Sequence, residues 1–431
     1  MNSNVLDFDT IILGGGAAGL AAAVAFGRRA GGASFALIEK EQKLGRKLLA
    51  TGSGRCNLTN MNMSEEFYNV SARPFMRRML SRVTPERLIS SFESLGLLCR
   101  ADSEGRVYPC SNQAASVLDV LTLWLGRTGC RVFCGCRVGR IRRENGGYLL
   151  EADDKTFFAK TLILASGGQA SAALGSDGSS YRFARDLSLP CEPVFPSLAP
   201  VFASDRLLPS VKGVRAAARV SLVADGKTAA CEYGELQLND KTVSGVCVFQ
   251  LSRLVNEFLA LGTVNGRRCE SVRIVADLVP DISAGGLEEL LAKKCRSLPD
   301  APSDALFAGV LNRKLGVYIM KKCGIPTNGE TLSSLSAAQI GAAAQYAKNA
   351  VFTPGAPSRF DSAQVTAGGI PLSEIDRNMK SLRFGGLYII GEALDADGLC
   401  GGYNLHFAFA GGITAGAHAA KSEVKKHDKD K

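Results

Sequence analysis

Three glycines, Gly14, Gly16 and Gly19, follow an apolar run from Thr10 to Leu13 and open an alanine-rich stretch, AAGLAAAVAFG. Glycines at this spacing between a strand and a helix suit a bound phosphate. The first permits a tight turn, the second lets a pyrophosphate approach the backbone, and the third lets helix pack on strand. First-turn amides, those of Ala17 and Ala18 among them, then face the anion together with the helix dipole. A second strand, SFALIEK, ends at Glu39, 20 residues beyond Gly19. There Glu39 can accept hydrogen bonds from an adenosine ribose, with Lys40 beside it. The pattern predicts a dinucleotide held at the start of an α/β fold.

The stretch that follows, GRKLLATGSGRCNLTN over residues 45–60, gathers Arg46, Lys47 and Arg55 with three glycines, a cysteine and two asparagines. Its glycines oppose a stable helix across Thr51 to Gly54. A nicotinamide dehydrogenase would start its next helix–strand unit here. The loop instead suits a larger anionic cofactor. Arg46 and Lys47 would lie near its diphosphate or ribitol, and Ser53, Gly54, Arg55, Cys56 and Asn57 beside a flavin ring. A basic surface loop with an incidental cysteine is the plainer alternative.

Two further stretches favour FAD over NAD. RVFCGCRVGRIRRENGGYLLEADDKTFFAKTLILASGG reads as alternating strands with turns at Asn145-Gly146 and around Asp153-Asp154. It closes on an apolar strand, Thr161 to Ala165, and a second glycine turn, Ser166-Gly167-Gly168. A small sheet returning to a second glycine turn is the layout of the glutathione-reductase-like FAD proteins. Near the C-terminus, FGGLYIIGEALDADGLCGGYNLHFAFAGGITAGAHAA gives a strand, Leu387 to Ile390, then Gly391-Glu392, then a glycine turn opening a helix near Asn404. The positive end of that helix would stabilise negative charge at the flavin N1/C2=O edge.

The blocks GGGAAGL, LGRKLL, TGSGRCNLTN, EGRVYP, LASGG, AQVTAGGI and LYIIGEALDADGLCGGYNL resemble those of the BaiN/RdsA-type bacterial flavoproteins, also called aminoacetone oxidase family FAD-binding enzymes. The resemblance runs from about residue 8 to 420. It implies a split glutathione-reductase-type Rossmann FAD-binding domain, with an inserted β domain and a small helical domain. The expected divisions are 1–191 and 353–420 for the two parts of the FAD domain, 192–280 for the β domain and 281–352 for the helical domain. A charged, disordered tail is expected over 421–431. The resemblance also implies a cofactor lining of Gly14, Gly16, Gly19, Glu39, Arg46, Lys47, Arg55, Cys56, Asn57, Val138, Gly168, Gly391, Glu392, Tyr403, Asn404 and Leu405. Ala165, Gly167 and Gly402 belong to the same turns. Two blocks depart from the family. LNDKTVSGVCV stands where FTHxGxSGP is usual, and Gly175-Ser-Asp-Gly178-Ser-Ser-Tyr181 where an acid-rich GDGY block is usual. Both are expected near the substrate cleft, so the family's substrate need not transfer.

The 431 residues, 46% of them hydrophobic, suffice for two or three cores. The 13 cysteines are scattered without metal spacing, which suits free thiols in a reducing compartment. No secretory signal and no membrane span is read, so the expected location is the cytoplasm. The net charge is +10, and residues 1–160 carry 22 Lys and Arg against 15 Asp and Glu. Such an excess can attract RNA, as the family resemblance suggests for ribosomal RNA. Cofactor phosphates or ordinary solvated surface are the plainer explanations, and no DNA partner is inferred.

Candidate chemistry beyond the flavin is sparse. A Cys-x4-Cys redox pair is missing after the first glycine turn, and Cys130, Cys134 and Cys136 read as structural thiols. Only one fingerprint follows a strand and opens a helix, so NAD(P)H would bind transiently as electron donor at the flavin face. Cys56, His406 and Tyr403 are the candidate proton donors; no metal site stands out. Three functions follow. The first is a reductase passing hydride from reduced FAD to an electron-poor C=C, with substrates implied by the resemblance: an unsaturated carbonyl compound such as a 3-oxo-bile-acid enone, or uracil in ribosomal RNA. The second is an amine oxidase using O2. The third is a non-enzymatic FAD protein partnering RNA or protein.

Overall fold

Val5–Leu13 (β1) alternates in burial at its start and is buried on both faces from Thr10 onward, as a central strand must be. Gly14 turns it into α1 (Ala17–Gly27). The computed structural model describes residues 5–427. β1 pairs in parallel with β2 (Phe35–Ile38) on one side and with the strand Thr156–Leu164 on the other. Arg131–Phe133 adds in parallel beyond β2, and Leu387–Ile389 pairs in parallel with Thr156–Leu164. The seven-stranded sheet is completed by the antiparallel hairpin of Val138–Glu144 and Gly147–Ala152. Its turn residues, Asn145 and Gly146, have φ of 49° and 76°, as an Asn-Gly hairpin requires.

After β2 come the short helix α2 (Arg46–Ala50), then α3 (Arg73–Leu80) and α4 (Pro85–Glu93), the last capped by the Thr84 hydroxyl. Between α2 and α3 the chain passes Gly52 and Ser53, both left-handed, in the region where glycine content argues against a helix. The closing helix, Tyr403–His427, packs along α1. Their approach is close because the contact residues are small. A β-carbon at Gly412 or Gly416 would stand 2.3 or 2.2 Å from the backbone oxygens of Ala18 and Ala22. This helix continues through 421–427, where a disordered tail is expected from sequence; 428–431 lie outside the described residues. No helix among the described residues is long and apolar enough to cross a membrane.

The chain forms two compact units. One comprises the chain up to Val194 together with the part from Gln364 onward, and the other is Phe195–Ala363. The second has its own core and an antiparallel sheet of seven strands. Its longest hairpin, Arg215–Ala224 with Lys227–Leu238, turns at Asp225-Gly226 as the sequence predicts. Four helices follow, Val246–Leu261 and then Ala284–Ser297, Arg313–Lys322 and Ala337–Lys348, the last three each capped by a polar side chain at Ser283, Asn312 or Ser336. The architecture is a split Rossmann-type fold interrupted by a β and helical insertion.

Candidate functional site

The glycine turns at 14–16 and 166–168 meet backbone to backbone at the ends of two paired strands. Gly14 has φ of 113°, and a β-carbon there would lie 2.4 Å from the Ala165 oxygen. A β-carbon at Gly19 would lie 1.8 Å from the Gly14 oxygen. Gly16 is different, because a β-carbon there would meet nothing within 4 Å. As the N-cap of α1 it also offers no side chain to the first-turn amides. The helix therefore begins uncapped, with its positive end facing open space, which is what a phosphate needs. Glu39 fits the same purpose. Its carboxylate accepts from the N–H groups of Gly15 at 2.7 Å and Glu41 at 2.8 Å, with lone pairs to spare for ribose hydroxyls. Gly391 joins this turn, since its β-carbon would stand 3.0 Å from that of Ala18.

A hydrogen-bonded ring ties the second glycine turn to distant segments. Lys47 donates to Glu392 Oε2 at 2.7 Å and to the Ala170 oxygen at 3.0 Å. Glu392 Oε1 accepts from the backbone N–H and the hydroxyl of Thr366, both at 2.9 Å. The Thr366 hydroxyl in turn accepts from the N–H groups of Gln169 at 2.8 Å and Ala170 at 3.0 Å. Arg46, expected near the diphosphate or ribitol, and Lys40, expected beside Glu39, are each ion-paired within the protein. Arg46 pairs with Glu41 and donates to the Ala173 oxygen at 2.9 Å. Lys40 meets Asp177 at 2.6 Å. Burial alone would raise the Asp177 carboxyl, but the Lys40 hydrogen bond and charge outweigh it and hold the group well below the usual range.

Around the start of the closing helix, residues 57–71 and 395–404 are laced together. Asn60 donates to the Gly401 oxygen at 3.0 Å and the Tyr68 hydroxyl to the Tyr403 oxygen at 2.8 Å. The Asp395 carboxylate accepts from Asn69 at 3.0 Å and Ser71 at 2.8 Å. Asn404 commits its amide to both backbone groups of Gly398, each at 2.8 Å, which fixes the loop before the helix. Asn57 is buried beside Gly402, and its Oδ1 has no hydrogen-bond partner. A buried acceptor without a donor is costly, so this corner is chemically incomplete within the protein alone. These features, with the uncapped helix and open Gly16, fit a dinucleotide cofactor.

Two of the three candidate proton donors fail. Cys56 is wholly enclosed, and burial pushes its thiol up to about 12. It packs in the core at a positive φ of 58°. His406 is also wholly enclosed, with Nδ1 2.8 Å from the Thr59 hydroxyl and Nε2 3.0 Å from the Val83 oxygen. A carbonyl only accepts, so Nε2 carries the hydrogen and Nδ1 accepts, and both ring nitrogens are used. Burial pushes its pKa down to about 4. The enclosure outweighs the Val83 carbonyl and the Glu86 charge, both of which favour the protonated ring. Tyr403, against Phe67 with ring centroids 4.9 Å apart, keeps 7% of its surface exposed.

The remaining expected residues are dispersed. Gly54 and Arg55 are exposed, with Arg55 stacked 4.7 Å over Tyr108. Val138 is buried at the start of its strand, and Leu405 packs against the core. Sequence reasoning missed the interior roles of Thr366, Asn69, Ser71 and Asp395. Thr366 lies in the quoted block AQVTAGGI, so it was visible there. Nothing local signals that Asn69 and Asp395 meet. Among the described residues, no three His, Cys, Asp or Glu are grouped to hold a metal ion.

The family description "HI0933-like protein Rossmann domain" matches residues 8–418. The chain belongs to this HI0933-like family. The resemblance read from the GRCNLTN and GGYNL blocks is borne out, and the HI0933-like chain is an FAD-dependent oxidoreductase. It is 35% identical over 411 residues to the 3-dehydro-bile acid delta(4,6)-reductase of Clostridium scindens, covering 95% of this chain and 98% of that protein. It is 27% identical to the ribosomal RNA dihydrouridine synthase of Haemophilus influenzae, covering 93% and 96%. Among solved structures, the fumarate reductase subunit FrdA of E. coli quinol fumarate reductase superposes with a TM-score of 0.50 at 17% identity, covering 98% of this chain and 71% of that one. That likeness concerns the fold alone.

Proposed function

We propose that the HI0933-like chain is a reductase acting on an electron-poor C=C bond of a small unsaturated carbonyl compound. The observation that carries this reading is its 35% identity, along nearly all of both chains, to a 3-dehydro-bile acid delta(4,6)-reductase. The relatives named for dihydrouridine share the same chemical logic. In each case a carbonyl polarises the double bond, hydride adds at the β carbon and a proton follows at the α carbon.

Bound FAD supplies the hydride. Among the chain's own residues, the amides from Gly14 to Gly19 would hold the diphosphate and Glu39 the ribose. Cys136 N–H bonds the Glu39 backbone oxygen at 3.0 Å, so nearby Val138 belongs with the adenosine end. Lys47 and Glu392 would serve the ribitol side, and Asn57 with Gly402 to Leu405 the ring. Tyr403 is the remaining candidate for delivering the α-carbon proton. NAD(P)H would reach the site only transiently, because a single dinucleotide turn is present. Cys56, Cys136 and Cys247 are buried free thiols, which supports a cytoplasmic setting.

A second reading, uracil in ribosomal RNA, draws on the dihydrouridine synthase relatives and on exposed arginines. These are Arg77, Arg78, Arg82 and Arg87 around α3 and α4, and Arg140, Arg142 and Arg143 on the 138–152 hairpin. The deciding experiment starts with anaerobically reduced holoprotein. It is mixed separately with a 4-ene-3-one steroid, a uridine-containing ribosomal RNA fragment and aerated buffer, and the return of the oxidised flavin band is timed. Fast return with the enone and slow return with O2 is the expected result. Immediate return in air with hydrogen peroxide, and none with enone or RNA, would overturn the reductase in favour of the amine oxidase.

A further inference from the structure

The ring through Lys47, Glu392, Thr366 and Ala170 brings together four segments remote in sequence: α2, the turn after Thr156–Leu164, the strand Val365–Gly369 and the turn after Leu387–Ile389. Thr366 is its interior member, 1% exposed. A hydroxyl has one hydrogen to give and two lone pairs to receive, and this one uses all of them. It gives to Glu392 Oε1 and receives from Gln169 and Ala170. Glu392 Oε1 is thereby bound twice by one residue, through backbone and side chain, which fixes the direction of its other oxygen towards Lys47. The Lys47–Glu392 pair remains partly open, with side-chain exposures of 23% and 21%. Gly168 sits against the same knot. A β-carbon there would meet Thr366 Oγ1 at 2.5 Å and Glu392 Oε1 at 2.6 Å.

We propose that Thr366 is a positioning residue for the cofactor, setting with one hydroxyl both the second glycine turn and the Glu392 carboxylate. The inference rests on the reading that FAD lies along Gly14–Gly19, Lys47 and Glu392. Thr366, only 1% exposed, works through the neighbours that it bonds. It acts by removing alternatives: without its hydroxyl, the part-buried Gln169 N–H and the buried Ala170 N–H lose their acceptor and Glu392 Oε1 loses one of two donors. The turn and the carboxylate are then free to adopt other arrangements, and a preorganised site becomes one that binding must organise.

The test compares Thr366→Val, which keeps the shape and loses the hydroxyl, with Thr366→Ser, which keeps the hydroxyl. Flavin released over time from purified holoprotein is read by fluorescence, and folding of the protein by circular dichroism and thermal melting. Thr366→Val is expected to remain folded while it releases FAD about tenfold faster or more. Thr366→Ser is expected to stay within about threefold of the unmodified protein. That rescue separates positioning by the hydroxyl from a mere packing role. Equal FAD retention by Thr366→Val and the unmodified protein would overturn the inference, as would equal loss in Thr366→Ser. If Thr366→Val fails to fold, Thr366→Cys replaces it, its weak donor giving faster flavin release than Thr366→Ser; retention equal to the unmodified protein would again overturn the proposal. Should the unmodified protein itself retain no flavin, the underlying cofactor reading fails, a result distinct from either.

Discussion

His406 illustrates how far a residue's type can mislead about its use. A histidine beside a glycine turn at a helix start looks like an acid–base group. In the fold it is a neutral structural hydrogen-bonding link between Thr59 and Val83. Its folded pKa of about 4 lies below the ordinary 6.5, so the unfolded chain binds its proton more readily. The contribution of a neutral His406 to stability is therefore complete above pH 6.5 and is lost as pH falls towards 4. Its full size is on the order of 3 kcal/mol. Measuring chemical denaturation from pH 4 to 8 for the unmodified protein and His406→Gln should give a steeper acid-side loss for the former. Parallel curves would mean that the imidazole is not enclosed as described. Cys56 carries the same lesson. The sequence locates it beside glycine and asparagine, but nothing in GRCNLTN tells whether its side chain turns to a ligand or into the core, and the core takes it.

Elements were more legible than side-chain roles. The run into Gly14, the alanine-rich helix and Glu39 after the second strand are local patterns, and β1, α1 and β2 appear where those patterns put them. The Asn145-Gly146 and Asp225-Gly226 hairpins were legible for the same reason, since a positive-φ turn needs particular residues. The lacing of 57–71 with 395–404 was not legible, because pairing across more than 300 residues leaves no periodic trace. Within the first turn the glycines also separate by role. Gly19→Ala should cost about 2 kcal/mol or more, because its β-carbon has no room beside the Gly14 oxygen. Gly16→Val should fold nearly as well as the parent, its φ of −82° being ordinary and its surroundings open. It should, however, purify nearly colourless, since the valine fills the space in front of the α1 amides. Thermal melting and flavin content per protein check the pair. A fully loaded Gly16→Val protein would remove the diphosphate from the start of α1.

At the scale of the molecule, the question is whether the +10 charge acts on a partner or is spent internally. Much of the arginine excess is engaged within the protein. Arg77 pairs with Glu65, Arg142 with Glu151, and Arg82 donates to the Arg377 oxygen. Arg87 donates to the Arg82 oxygen at 2.7 Å, and Arg73 to the Glu66 oxygen at 3.2 Å. Guanidinium groups held this way keep their charge but lose orientational freedom, so a charge count overstates the surface ready to follow a phosphate backbone. A small neutral enone has no counterions to release on binding, whereas RNA does. For the small-molecule reductase, kcat/KM with a 4-ene-3-one should stay within about twofold between 50 and 200 mM salt. Retention on a ribosomal RNA fragment, where it occurs, should fall at least about tenfold over the same range. The decisive comparison pairs the two readouts on one preparation. Salt-insensitive enone turnover with salt-labile, inactive RNA retention assigns the exposed arginines to nonspecific attraction. Reoxidation of the reduced flavin by RNA, failing as salt rises while the enone stays inert, would move the substrate to uracil and give those arginines a functional role.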